Sequence, residues 1–440
     1  LSVLFRNATL VTMNDRLEVA QGDLSVRDGK IAALGHVPDG AHDRVIDAAG
    51  DLLLPGFVQT HVHLCQTLFR GLADDLRLMD WLRTRVWPLE AAHTDASLRA
   101  SARLAACELL RGGTTSILTM ETVHDTDVVF DEIARSGLRA TIGKCMMDDA
   151  ADAPARLKEN TNTSISDALT LFDRWHDTHD GRIRVAFAPR FAVSCSRRLL
   201  EAVAVLAAER GLLVHTHASE SRGELALVQK RTGMDNIAYL VATGLASPRL
   251  CAAHCVHVDD TAQALLAEFD VKVLHCPSAN LKLGSGVAPV VEMARRRITV
   301  SLGADGAACN NRLDMFDEMR LAGLLQASRL GPGALTSCDV VWMATRGGAR
   351  TLGLDSEIGS LEPGKRADLV LVGRGGPHAG PMSNPYSALV YAARSSDVRT
   401  TLVDGRVLVD EGRLTGLDPE EAVARGREQV RQLTLRARLG

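Results

Sequence analysis

Hydrophobic and polar residues alternate in short stretches at both ends of the chain. Through the middle, apolar runs alternate with segments of helical period. Residues 4–13, 24–26, 30–34 and 45–47 carry β-branched and aliphatic side chains between polar turns and predict strands, with Asp28-Gly29 as a two-residue hairpin turn. The far end mirrors this. Residues 367–372, 400–403 and 406–409 predict strands, and Asp404-Gly405 supplies a second hairpin turn. Neither set is long enough to close a core alone, so residues 1–54 and 361–440 are expected to join in one small β-sandwich, with 419–438 as a basic amphipathic surface helix. Between them, residues 55–360 predict strands at 57–63, 115–120, 139–146, 183–189, 212–217, 250–254, 271–275 and 298–304. Helices lie between these strands. Residues 95–111 keep Leu98, Ala102, Ala105 and Leu109 on one face and stop at Gly112, and 197–210 end at Gly211. An α/β chain of eight strands with intervening helices predicts a closed (β/α)8 barrel. An open doubly wound sheet would call for a G-x-G-x-x-G opening a helix after a strand, and the chain has none. The polar stretch 148–164 follows the third strand, and so falls on the barrel face where substrate loops gather.

Composition narrows the function. The chain has 440 residues and 46% hydrophobic content, enough for a large core. Its 50 basic and 54 acidic residues nearly balance and form no dense basic run, which argues against a nucleic-acid partner. No apolar run reaches membrane-spanning length, and residues 1–11 lack the features of a signal peptide. The nine cysteines show neither CxxC nor disulfide-scaffold spacing, so a reducing, cytoplasmic setting is expected. Exposed barrel helices of this kind often pair, and a homo-oligomer is expected.

The candidate chemistry sits at the strand ends. LLPGFVQTHVHLCQ places His61 and His63 at i and i+2, on the same side of an extended strand, where they can grip one ion. The fifth strand ends in HTHASE, the sixth in His254, the seventh in His275-Cys276-Pro277 and the eighth in Asp305-Gly306. In a barrel these ends converge on one mouth. A single histidine at a strand end is ordinarily satisfied by backbone; several strand ends agreeing point to a metal. His61, His63, His217 and Asp305 suit one divalent ion such as zinc, with iron or manganese also tolerated, and leave a position open for water. Asp305 can both ligate and take a proton from that water. Glu220, three residues past His217, is a candidate proton carrier, and His254 a candidate to orient the water or stabilise charge. His215 shares a face with His217 but has no glutamate three residues on, so it ranks second. His275 reads as a brace of the mouth.

PGFVQTHVHL, HTHASE, AAHCVH, HCPSANLKLGSG, LGADGAACNN and GSLEPGKRADLVLV follow one another along the chain. In this order they resemble the amidohydrolase superfamily, and specifically its aminohydrolase branch of adenosine-derivative deaminases, guanine deaminases and triazine hydrolases. The resemblance covers nearly the whole chain. It implies one zinc or iron ion on His61, His63, His217 and Asp305, with Glu220 and His254 as catalytic partners. The branch lacks the bridging carbamylated lysine of two-metal relatives, in keeping with the lysine-free strand RIRVAFAPR.

The substrate residues point two ways. Trp81 and Glu90 in DWLRTRVWPLE stand where enzymes acting on methylthioadenosine and S-adenosylhomocysteine contact the nucleoside, with Glu90 able to accept both ribose hydroxyls. Gln66, Lys144, Arg190 and Phe191 are similar to guanine deaminases, in which the matching glutamine, arginine and phenylalanine hold the purine. Purely structural readings are also open: Trp81 as a packed helix aromatic, Arg190 as a surface ion pair, Lys144 as a strand-end lysine paired with a loop carboxylate. The whole pattern is most similar to 5′-deoxyadenosine deaminases. The expectation is hydrolytic deamination of a 6-aminopurine nucleoside. The alternatives are a guanine, oxopurine, pterin or s-triazine substrate, or a metal-free scaffold on the same barrel. Glu121 and His124, after the second strand, face the mouth without an assigned role.

Overall fold

The computed structural model describes residues 2–38, 40–381 and 383–439. A parallel ladder of strands forms its centre. In chain order these are β1 (Phe57–His63), β2 (Thr114–Met120), β3 (Arg139–Met146), β4 (Ile183–Pro189), β5 (Val214–Ala218), β6 (Leu250–His254), β7 (Lys272–His275) and β8 (Val300–Leu302), each hydrogen-bonded to the next. Just beyond β8, Asp305 and Gly306 pair with Val62 and His63, so the ladder curls back onto β1 as a TIM-like barrel. Val58, Leu118, Ala186, Cys251, Ala253 and Leu274, from five of these strands, share one buried cluster, as side chains filling a barrel interior do. Closure depends on glycine. A Cβ on Gly303 would lie 2.6 Å from the carbonyl oxygen of His61, so no side chain fits between the last strand and the first.

Three strands are shorter or shifted relative to the sequence pattern. The expected residues 212, 271 and 298 are apolar and buried, but their backbone N–H groups bond to Ala207, Leu266 and Met293, at the ends of the preceding helices. Apolar burial alone does not distinguish a strand start from a helix exit. The helix Asp95–Arg111 begins in a capping box between Thr94 and Ser97, and the left-handed turn after it falls on Gly113 (φ 80). Helix Arg197–Arg210 is capped by Ser196 and closed by Gly211 at φ 69, as read. The polar stretch after β3 is shorter than its composition suggests, because Asn160 caps a helix running Thr161–Trp175.

The terminal segments form one continuous mixed sheet of nine strands rather than two separate layers. Its seam is the antiparallel pairing of Leu52–Pro55 with Leu369–Val372. Strand Ser2–Val11 changes partner at an irregularity between Phe5 and Ala8, pairing in parallel first with Arg44–Asp47 and then with Leu52–Pro55. Phe5, Leu10, Leu24, Leu53, Leu369 and Leu402, from both ends of the chain, fill one cluster. Arg139 of β3 ties the barrel to this sheet through a buried ion pair with Asp368 (2.7 Å) and a half-buried one with Asp404 (2.5 Å). Helix Pro419–Arg436 packs on Asp95–Arg111, burying Ala422 and Leu433. All nine cysteines are free thiols, and no helix among the described residues is long and apolar enough to cross a membrane.

Candidate metal centre and substrate pocket

Strand alternation sends His61 and His63 of β1, and His217 of β5, into the mouth of the barrel, where Asp305 meets them. One donor atom from each lies within 4.8 Å of every other. Asp305 Oδ1 is 3.3 Å from both His61 Nε2 and His63 Nε2. The rings are aimed from behind. His63 Nδ1 donates to the Met120 carbonyl and His217 Nδ1 to the Arg190 carbonyl, each at 2.7 Å. A carbonyl can only accept, so these bonds fix the proton on Nδ1 and leave the lone pairs on Nε2. The two Nε2 atoms are 3.3 Å apart. Two lone pairs aimed at each other in a buried site repel unless a cation stands between them. His61 Nε2 is likewise buried with no hydrogen-bond partner. The donor set therefore fits a divalent cation, and these four residues form a metal site.

The electrostatics agree with that fit. Burial, only partly opposed by Asp305, brings His61 down to about 4, and burial with the neighbouring imidazoles holds His217 well below its usual value. Burial works against charge on Asp305 too, but His61 and His63 outweigh it and keep the carboxylate ionised. Burial also opposes charge on His63, while Asp305 raises its pKa by favouring a proton on Nε2, at the position a cation would otherwise hold. Asp305 has a left-handed backbone at φ 62, and His254 another at φ 73. Such conformations are disfavoured for non-glycine residues and cluster at functional sites.

Glu220 and His254 stand beside the ligands. His254 Nε2 is 3.6 Å from Glu220 Oε2 and 3.8 Å from Asp305 Oδ2. Burial and the charge of Asp305 push Glu220 up to about 8. Three supports had no assignment in the sequence. The amide oxygen of Asn280 accepts from His254 Nδ1 at 2.9 Å, Ser285 Oγ reaches Glu220 Oε1 at 3.5 Å, and Glu224 accepts the backbone N–H of Glu220 at 2.7 Å. Asn280 and Ser285 lie inside the HCPSANLKLGSG motif, and that proximity was the available signal. His215 does share the face of His217, but its Nε2 lies 2.6 Å from His61 Nδ1, so it orients a ligand from behind.

A pocket opens above this cluster, lined by Gln66, Trp81, Arg190, Phe191, Leu78 and Leu283 together with His63, His217, Glu220, His254 and Asp305. The indole Nε1 of Trp81 and the amide Oε1 of Gln66 are buried without partners. Trp81 belongs to a covering segment made of helix Leu78–Trp81, a wider π turn at Leu82–Val86 and helix Trp87–Ala91. Glu90 does not line the cavity. Its carboxylate accepts both Arg190 nitrogens (2.6 and 3.2 Å) and Gln66 Nε2 (3.0 Å). Arg190 is thus in a buried ion pair, not a surface one. Lys144 stands apart from the cavity, paired at 2.5 Å with Glu159 of the polar loop, which is the structural reading of that lysine. His124 pairs with Asp125 outside the cavity (2.8 Å). His275 is buried with neither ring nitrogen bonded, and burial draws it down to about 3. Glu121 accepts the backbone N–H groups of Leu64 and Cys65.

The pattern of the amidohydrolase family matches residues 52–408. The 5′-deoxyadenosine deaminase of Methanothermobacter thermautotrophicus is 41% identical over 424 residues, covering 94% of this chain and 96% of that protein. The 5-methylthioadenosine/S-adenosylhomocysteine deaminase of Moorella thermoacetica is 37% identical over 427 residues, covering 96% and 97%. A crystal structure of an adenosine deaminase from Xanthomonas campestris with bound zinc superimposes with a TM-score of 0.92 at 33% identity, covering 98% of each chain. The chain belongs to the amidohydrolase family.

Proposed function

We propose that this protein is a metal-dependent aminohydrolase that deaminates a 6-aminopurine nucleoside of the 5′-deoxyadenosine, methylthioadenosine or S-adenosylhomocysteine type. The observation that carries the proposal is one juxtaposition. A complete set of three imidazoles and a carboxylate, with Glu220 held neutral beside it, lies at the floor of a cavity walled by Trp81 and Phe191. Flat aromatic walls suit a heteroaromatic ring. The named activities of the two relatives, which match nearly end to end, support the same class. Zinc is the proposed ion. It suits this donor set, and it is bound in the Xanthomonas enzyme.

A divalent cation on His61, His63, His217 and Asp305 would lower the pKa of a bound water from 15.7 to about 7, supplying a nucleophile at neutral pH. The protein's own groups then manage the protons. The water oxygen bonds to C6 as Glu220 delivers its own proton to N1, and the first water proton returns Glu220 to its neutral form. Asp305 takes the second water proton, which passes to the amino nitrogen, and the C6–N bond breaks. The products are the 6-oxopurine, protonated at N1, and ammonia, so both water protons are accounted for. His254, its Nδ1 engaged by Asn280, turns Nε2 toward Glu220 and Asp305 and orients the attacking oxygen. Gln66 and Arg190, held together by Glu90, form a polar wall beside the aromatic ones.

The test is ammonia release from 5′-deoxyadenosine, methylthioadenosine, S-adenosylhomocysteine, adenosine, guanine, pterins and aminated triazines. Turnover of the 5′-substituted adenosines well above the rest is expected. Turnover confined to guanine, pterins or triazines would overturn the nucleoside assignment.

A further inference from the structure

The chain leaving β2 meets the chain leaving β1 in an unbroken series of contacts. Thr119 Oγ1 donates to the carbonyl of Val62 at 2.9 Å. The carbonyl of Met120 accepts from His63 Nδ1 at 2.7 Å. The carboxylate of Glu121 accepts the N–H of Leu64 at 3.1 Å and of Cys65 at 2.9 Å. Three consecutive residues of one strand end thus hold four consecutive residues of the other, with ligand His63 inside the grip. The grip is itself anchored, because Glu121 N–H bonds to the carbonyl of Gly143 in β3 at 2.9 Å.

Glu121 is 1% exposed, and no ion pair to a basic side chain is found for it among the described residues. Burial pushes its pKa up to about 7. A carboxylate kept from both water and counter-ion is unfavourable unless its hydrogen bonds matter. Its bonds reach the two N–H groups that open the short 3-10 turn Leu64–Phe69. It stands outside the ligand set.

We propose that Glu121 is a positioning residue for the metal centre. It fixes the exit of β1, so that the Nε2 lone pair of His63 stays aimed at the point it shares with His217 and Asp305. Metal sites tolerate ligand displacements of only about 0.2 Å, and a swing of the Leu64 peptide moves the Cα–Cβ bond of His63 directly. The same turn carries Gln66 into the cavity wall, so Glu121 sets the register of a ligand and a pocket residue together. The inference rests on the metal site and is independent of which heterocycle is turned over.

The experiment measures zinc affinity of wild type, Glu121→Gln and Glu121→Ala by competition with a chromophoric chelator, alongside the Tm of each metal-free form. Zinc affinity is expected to fall about tenfold to a hundredfold, more for alanine than for glutamine, which keeps one acceptor. Affinities within twofold of wild type would overturn the proposal, whatever happens to the metal-free Tm. Absence of zinc binding by the wild type would instead overturn the metal site itself. Should neither variant fold, hydrogen exchange on the zinc-loaded wild type decides: Leu64 and Cys65 amides are expected to be protected, and exchange at solvent rates would overturn the grip.

Discussion

Arg190 grips Glu90 through two hydrogen bonds, of 2.6 and 3.2 Å, where the side chains are 4% and 1% exposed. The pair joins the mouth of β4 to the segment that covers the pocket. Removing one partner of such a pair leaves an uncompensated buried charge, at about 3–5 kcal/mol. Arg190→Met is expected to lower stability by that order in denaturant unfolding and to release Gln66, raising KM. Combining it with Glu90→Leu should restore at least half the lost stability without restoring KM. A single variant as stable as wild type would contradict this account.

Glu220 is the proposed proton carrier. Glu220→Gln keeps its shape and loses the proton, so kcat should fall by about 10²–10⁴ while KM stays within a few-fold. Steady-state kinetics on 5′-deoxyadenosine check it, and a near-normal kcat would remove Glu220 from the mechanism.

The 3.3 Å approach of His63 Nε2 to His217 Nε2 makes the metal part of the fold's stability. Ligand binding at a thousand times Kd stabilises by about 4 kcal/mol. Chelation should therefore lower Tm by several degrees and abolish activity, with zinc restoring both. In His63→Asn the chelator-sensitive part of Tm should vanish. A Tm indifferent to chelator in the active wild type would refute the link.

Glu318 gives a pH dependence with a definite sign. Burial lifts its folded-state pKa from 4.5 to about 7, with hydrogen bonds from Ser278 and Asn310 opposing. A raised pKa means that folding favours the protonated form. The stabilisation is full below about 4.5 and is lost as pH rises through about 7. At about 1.4 kcal/mol per pKa unit, the swing is of order 3 kcal/mol. Glu318→Gln cannot ionise. Its stability deficit against wild type should therefore be largest near pH 5 and shrink toward pH 8 in parallel denaturation curves. A deficit that is constant across that range would show that Glu318 does not titrate with folding.

The strands, the barrel and the four ligands were legible in the sequence because they depend on short-range regularities. An i, i+2 pair on a strand keeps its two side chains together whatever surrounds it, and apolar runs between glycine-capped helices announce a parallel ladder. The partners of the remaining polar groups were not legible. Glu90 reads as a ribose acceptor in its local motif, yet it spends its lone pairs on Arg190, a hundred positions away. Lys144 could have faced the purine, but Glu159 turns it aside. Glu121 had no visible role until the exit of β1 was laid against it. Hydrogen-bonding groups in a closed interior must be satisfied by whatever lies within about 3 Å, and only the packed chain determines what that is.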